Sequence, residues 1–491
     1  MSLTRKIAGH TVYYGSAQVL ILASGIISMP IFTRTLSEAE YGMLNIIGVT
    51  VALLSTALNG GLRHSLYRLY GEYQSAGKLP SFLRTYVILV VVLAIAGLVV
   101  APAVFLALKP LKVMPGWALP AALIACPLVF VRLVYLGLSN IYRMREEVRT
   151  YNLLEIATKY IAMGLCIWFV VSFSNRLQGY FLGLLLGEGM VFAALCLLFF
   201  RRPRDLGGPF SYPATGDIFR YGLPLAAGSL AGVLFSMSDR YVIQILLGPE
   251  QVAQYSIGSQ LSTYTCAAIV AGFQFALIPA IMNAWTKGER EAAQATLGNL
   301  VRYYALAAFP ITIGLVAVRS DLIHLLASER YLPAATVVPV LVGGALLSGL
   351  SAPLLIGLHF AKRTGVLAVL AAAMAVTCIG LDLLLIPLPG PFGGIMGAAI
   401  ANVIANFLYI LIGHLLARKH CSIVIPWRDI ASYAVAAAVM YLVVTSVSLQ
   451  NWIVQLCVRI LLGGIIYVPV VLLLDRRLRT YASDVLRKLR S

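Results

Sequence analysis

The run GVLFSMSDRYVIQILLG, Gly232–Gly248, sets one acid beside one base, Asp239 and Arg240, in an otherwise largely apolar stretch. Its length and hydrophobicity read as membrane-spanning helix, and the rest of the chain agrees. Of 491 residues, 60% are hydrophobic and only 11% charged, where a soluble domain carries about 25% charged residues. Mean hydropathy is +0.89. Such a chain cannot cover itself with a polar shell, so the fold class is an all-α integral membrane protein.

Apolar runs of about 20 residues, the length that crosses a bilayer, fall at 11–33, 42–62, 84–108, 117–140, 151–173, 177–200, 220–246, 252–284, 301–318, 333–358, 364–388, 394–416, 429–448 and 452–474. They predict about fourteen transmembrane helices. Most of the 37 Lys and Arg residues lie in loops on the side of the N-terminus, from Arg5 and Lys6 through Arg143/Arg145/Arg149 to the tail after Arg476. The positive-inside rule then puts both termini in the cytoplasm, which requires an even number of spans. The net charge of +18 is mostly topology plus attraction to anionic lipid, not nucleic-acid binding. All 5 tryptophans (117, 168, 285, 427, 452) sit at or near a span end, where amphipathic rings settle. The first span is read as retained, because removing it as a signal would spoil the charge alternation.

The 7 cysteines form no CxxC pair and no metal-like cluster with the 6 histidines. No disulfide framework, metal or cofactor is expected.

The chain also resembles itself. LSEAEYGML (36–44) lies on LGPEQVAQY (247–255), Gly61 on Gly272, and GYFLGLLLGEG (179–189) resembles GIMGAAIANVI (394–404). These matches predict two lobes of six helices each, related by a parallel repeat with an axis along the membrane normal and enclosing a cavity, plus two C-terminal helices. The expected division is an N-lobe at 1–200 (helices 1–6), a cytoplasmic inter-lobe linker at 201–219, a C-lobe at 220–417 (helices 7–12), and helices 13–14 with a basic cytoplasmic tail at 418–491. The small residues recurring every fourth position in spans six and twelve are expected to let helices approach closely.

Charges inside the spans are few: Arg132, Glu155, Lys159, Glu188, Asp239, Arg240, Asp382 and Arg459. Each costs roughly 2.5–3.5 kcal/mol at the bilayer centre on an insertion scale, so each needs a reason. Glu155 and Lys159 have the spacing of a helix ion pair. Neighbours on a helix diverge by about 100°, so Asp239 and Arg240 are not expected simply to pair with each other. At least one should face another helix or a water-filled cavity. The other four stand open between cavity-lining and structural roles. A cavity richer in Arg than in acid suits an anionic cargo, because guanidinium donates paired hydrogen bonds to phosphate.

TRTLSEAEYG (33–42), SDRYVIQILLGPEQVAQYS (238–256) and GGIMGAAIAN (393–402) resemble the polysaccharide-transport (Wzx-like) flippases. That family belongs to the MOP/MATE superfamily, with the MATE exporters and the lipid II flippases. The resemblance implies a flippase that moves undecaprenyl-pyrophosphate-linked oligosaccharide repeat units across the bacterial inner membrane by alternating access, for O-antigen, capsule or exopolysaccharide synthesis. Polymerases or other assembly proteins are the partners it implies. It further implies that cationic residues contact pyrophosphate and sugar, with Arg240 and Arg34 the first candidates, then Arg63 and Arg132; the span residue Arg459 joins them. Asp239, Glu188 and Asp382 are the candidates for charge balance or for coupling to H⁺ or Na⁺. In this family the two extra helices help form a groove for the lipid tail.

Two rival readings differ from this one. A MATE-type drug or metabolite exporter normally stops at twelve spans, and its cationic cargo favours acids. A membrane glycosyltransferase or polymerase usually carries a large outer loop with catalytic carboxylates, whereas the longest outer loop here, about 319–332, has no DxD or paired carboxylates. His324 and Glu329 in it read as solvated surface.

Overall fold

The computed structural model describes the backbone of residues 3–201, 206–361, 363–421, 423–475 and 477–480; the side chains of 3–16, 268–280, 283 and 364 fall outside the described set. So do Arg202, Arg204, Lys362, Arg476 and the tail from 481 onward. The described residues form α-helices, with 3-10 turns that include Glu329–Thr336, and no strand is found among them. The helices are α1 Leu3–Thr35, α2 Glu38–Leu58, α3 Leu62–Ser75, α4 Leu79–Ala107, α5 Leu119–Ala125, α6 Pro127–Met144, α7 Val148–Ser172 and α8 Arg176–Phe200. They continue as α9 Tyr212–Leu247, α10 Pro249–Thr286, α11 Arg290–Leu326, α12 Val338–Phe360, α13 Thr364–Leu385, α14 Gly394–Ala417, α15 Trp427–Ser446 and α16 Trp452–Leu474.

Among the described residues, 13 helices are long and apolar enough to cross a membrane. α10 stands at the remaining sequence span, and it includes Gly272 and the other residues whose side chains are not described. The chain is a multi-pass membrane protein. Its outward faces agree: Val99, Val171 and Val376 are each at least 70% exposed, an arrangement that only lipid makes tolerable.

Two sequence spans are interrupted. The fourth is split into α5 and α6 at Cys126–Pro127, where proline removes a helix donor. The second breaks between α2 and α3 at Gly60 (φ 53°) and Gly61 (φ 76°), conformations that glycine adopts at little cost. Gly61 is also pressed on α9: a Cβ there would lie 1.9 Å from the Gly222 carbonyl oxygen. Helix ends are capped by the expected chemistry. Ser37 and Glu40 form a reciprocal capping box on α2, and Asn451 accepts from two amides at the start of α16, satisfying donors that hydrocarbon would leave bare.

The chain folds as two compact units, residues 1–256 with 364–401, and residues 257–363 with 402–491. In the first unit, the glycine ladder of span six behaves as expected. Cβ atoms at Gly179, Gly183 and Gly187 would sit 2.6, 2.6 and 2.4 Å from backbone atoms of Phe169, Leu165 and Ala162 on α7. α7 and α8 therefore touch backbone to backbone, the contact that replaces hydrophobic driving force in lipid. In the second unit, α15 and α16 pack on α11 through Tyr433, Ala436, Met440, Tyr467 and Val471.

Gly61→Ala forces a clash in a backbone conformation that alanine disfavours, whereas Gly71 of α3 faces open space. We expect Gly61→Ala to lower the unfolding temperature of the detergent-purified protein by several degrees. Gly71→Ala should raise it slightly, by roughly 0.5–1 kcal/mol of helix propensity. An unchanged unfolding temperature for Gly61→Ala would refute the packing described at the break.

Candidate functional site

The charged core of the first unit is built on α9, where Asp239 and Arg240 lie about two turns before the helix ends at Leu247. Both are buried, at 2% and 9% exposure. The expectation that they do not pair is corrected. Arg240 Nη1 donates to Asp239 Oδ1 at 3.2 Å and to the Ser236 carbonyl at 3.1 Å. The long side chain folds back toward the helix N-terminus, as helical side chains do, and so reaches a carboxylate that a short side chain would miss. The Arg240 amide also donates to Oδ1 at 2.8 Å.

The other Asp239 oxygen accepts the Tyr255 hydroxyl at 2.5 Å. Tyr255 stands on α10, just beyond the Gly248–Pro249 turn, and its ring lies 5.9 Å from the Arg240 guanidinium. Nothing in the sequence singled Tyr255 out, although it lies in the quoted GPEQVAQYS motif. A helix–turn–helix folded at Gly248 places it level with Asp239.

α13 supplies the second acid. Asp382 is fully buried, within electrostatic range of Asp239. Its Oδ2 receives only a long 3.9 Å contact from Cys378 Sγ, and Oδ1 has no hydrogen-bond partner among the described residues. An unsatisfied buried acceptor carries a desolvation cost of order 1–3 kcal/mol, more when charged. Asp239, Arg240 and Asp382, each ionised, sum to one negative charge in a low-dielectric setting. Among the described residues no group of three or more His, Cys, Asp or Glu is placed to hold a metal ion. The donor set here is two carboxylates and one tyrosine hydroxyl, which suits a proton or a small monovalent cation and not a transition metal.

The remaining sequence candidates separate into two kinds. Arg132 on α6 clamps Glu188 on α8 in a two-pronged pair, Nε to Oε2 at 2.8 Å and Nη2 to Oε1 at 2.7 Å. In the second unit Arg459 donates to Asp321 at 2.7 Å and to the Val447 carbonyl, while Gln455 holds the other Asp321 oxygen. Both arginines are thus tied across helices by the carboxylate they face. Asp321 and Gln455 were not singled out in the sequence, since Asp321 lies at the edge of an outer loop. Glu155 accepts the Tyr135 hydroxyl at 3.2 Å, and no ion pair joins it to Lys159.

Arg34 and Arg63 are exposed. Arg34, at the end of α1, donates to the Pro30 carbonyl at 3.1 Å. Arg63 lies at the α2–α3 break on a cavity of about 90 Å³ with Ser55, Asn59, His64 and Ser229. There His64 Nε2 and Ser229 Oγ are 3.1 Å apart. Because the Ser229 hydroxyl donates to Leu225, it accepts from the imidazole. His324 and Glu329 hydrogen-bond each other at 2.9 Å, with Glu329 80% exposed.

No curated protein sequence matches the chain. The model of a family described as polysaccharide biosynthesis protein matches residues 7–285. Among solved structures, the lipid II flippase MurJ in an inward closed conformation superposes with a TM-score of 0.77 at 14% identity, covering 95% of this chain and 99% of its own. An inward-facing multidrug resistance MATE transporter of the MOP superfamily gives 0.65 at 17% identity, over 82% and 94%. A MOP superfamily transporter from Pyrococcus furiosus, described as having a binding pocket of reverse polarity, gives 0.56 at 16% identity, over 84% and 95%. At these identities the likeness shows a shared fold.

Two outcomes follow from the ion pairs. Arg132→Gln strands the Glu188 carboxylate, and removing one partner of a buried pair costs roughly 3–5 kcal/mol. With the Arg132 side chain still 29% exposed, roughly 2–3 kcal/mol is expected, and the double variant Arg132→Leu/Glu188→Leu should recover most of it. Denaturation of the purified variants checks this. The second concerns Asp475, just past α16. Burial raises its carboxyl, but hydrogen bonds from Tyr433 and Arg302 outweigh that and hold it below the ordinary range. A depressed folded-state value contributes stability above the unfolded value of about 3.9 and loses it as pH falls through the folded one. The stability gap between wild type and Asp475→Asn, open at neutral pH, should therefore close below about pH 4.

Proposed function

The chain belongs to the polysaccharide biosynthesis protein family, and from that premise we propose that it is a flippase for undecaprenyl-pyrophosphate-linked oligosaccharide repeat units. It moves them across the bacterial inner membrane by alternating access, feeding O-antigen, capsule or exopolysaccharide assembly. Both termini lie in the cytoplasm, and the protein performs transport rather than group transfer.

The observation that carries this reading is the buried Asp239–Arg240–Asp382 cluster. Such charges in a membrane span are costly and mark transport paths and coupling sites. Its one surplus negative charge is the place for a coupling cation, H⁺ or Na⁺, with Tyr255 steadying Asp239. Glu188 is already balanced by Arg132, which supports Asp382 over Glu188 in the coupling role. For the anionic headgroup, the exposed Arg34 and Arg63 are the supported contacts, with Arg240 behind them. The carboxylate locks on Arg132 and Arg459 support structural duties for those two.

A MATE-type exporter is the second reading. Against it, the flippase structure covers 95% of the chain and the MATE structure 82%, and α15–α16 exceed a twelve-span plan.

Inverted vesicles carrying the purified protein and a lipid-linked oligosaccharide test the proposal, with protection of the sugar from added glycosidase as readout. Wild type should protect the sugar. Asp239→Asn, Asp382→Asn and Arg63→Gln should each slow protection at least about tenfold, equivalent to 1.4 kcal/mol. If wild type protects none of several lipid-linked sugars, the exporter reading takes its place.

A further inference from the structure

In the second unit a cleft of about 780 Å³ opens where α11, α15 and the end of α16 meet. Its floor is electrically closed. Arg302, 6% exposed, donates to Asp475 at 2.5 Å and to the Tyr433 hydroxyl at 3.1 Å, and it pairs with Asp429 at 3.1 Å. Tyr433 in turn donates to Asp475 at 2.6 Å. Two carboxylates surround this one guanidinium, so the floor offers an anion nothing.

The rim differs. Arg428 at the start of α15 and Arg477 just beyond α16 both border the cleft, and both are exposed. Neither guanidinium makes a hydrogen bond or ion pair with a described residue. One carboxylate, Glu291, lies on the same rim, which leaves the opening cationic. Between and beside the arginines stand two apolar side chains turned outward, Trp427 at 70% exposure and Val424 at 84%. The cleft thus combines paired donors with an apolar flank.

Its level in the membrane sharpens the point. Trp427 opens α15 and Asp475 closes α16, so the cleft lies where two spans leave the hydrocarbon. Tryptophan at a span end sits at headgroup depth. Guanidinium donors pair with phosphate oxygens, and basic pockets between transmembrane helices hold anionic headgroups. A soluble anion would use the arginines and leave Trp427 and Val424 wet. A phospholipid uses all four.

We propose that this cleft is a binding site for one anionic phospholipid, its phosphate held between Arg428 and Arg477 and its glycerol and first methylenes laid on Trp427 and Val424. The bound lipid joins the start of α15 to the end of α16 from outside, as the Arg302–Asp475–Tyr433 network joins them from within. The site is independent of the cargo and of the charge cluster on α9.

Native mass spectrometry of the full-length protein tests this, with phosphatidylglycerol, phosphatidylcholine and inorganic phosphate as probes. Wild type should retain one phosphatidylglycerol in at least fivefold preference to phosphatidylcholine, and inorganic phosphate should not displace it. Arg428→Gln/Arg477→Gln should lower that retention at least tenfold, while Trp427→Ala weakens it less. Arg201→Gln/Arg220→Gln, which removes two exposed arginines of the first unit, should leave it unchanged. The proposal is overturned by equal retention in wild type and Arg428→Gln/Arg477→Gln. It is equally overturned by a matching loss in Arg201→Gln/Arg220→Gln, which would mean diffuse attraction, or by displacement with inorganic phosphate, which would mean a simple anion site.

Discussion

Asp239 and Arg240 stand side by side in a membrane-spanning helix, and that placement constrains everything near them. A charge in hydrocarbon has no water to turn to, so its partners must come from the protein. Arg240 folds back on Asp239, Tyr255 closes the other carboxylate oxygen across the Gly248 turn, and Asp382 arrives from α13 with an oxygen unsatisfied. Three of the four side chains stabilise one another. The fourth, when ionised, leaves the cluster one negative charge beyond balance, which is the basis of the cation site proposed above.

The same constraint is met without surplus elsewhere. Arg132–Glu188 and Arg459–Asp321 are each held by a short contact. In each the charges are matched within hydrogen-bond distance, which is how a membrane protein keeps ionic groups between helices. Close helix contact needs no ion pair. α7 and α8 approach each other at Gly179, Gly183 and Gly187, where backbone contact does the work that hydrophobic burial does in water.

Much of this was legible in the sequence because the bilayer is a demanding solvent. Apolar length marks a span and glycine spacing marks a close helix pair, with little help from tertiary context; the ladder at Gly179, Gly183 and Gly187 illustrates it. Pairing was legible only in part. The charges of the spans could be named, but their partners could not. Asp321 and Asp475 lie beyond the apolar runs read as spans, and Tyr255 carries no charge to mark it. The separation of Asp239 from Arg240 inferred from helical angle failed because it treated arginine as a direction and not as a long flexible reach. The break at Gly60–Gly61 falls where the second apolar run ends, so the sequence marked the end of a span there and not the polar helix α3 that follows it.

The central claim is that the α9–α13 cluster carries one uncompensated negative charge that takes up one cation. Cation uptake by the purified protein, with protons followed by a pH indicator and Na⁺ by calorimetry, measures this directly. The account predicts about one cation bound per chain in wild type and none at this site in Asp382→Asn, where the charges already balance. Equal uptake by the two proteins would contradict it.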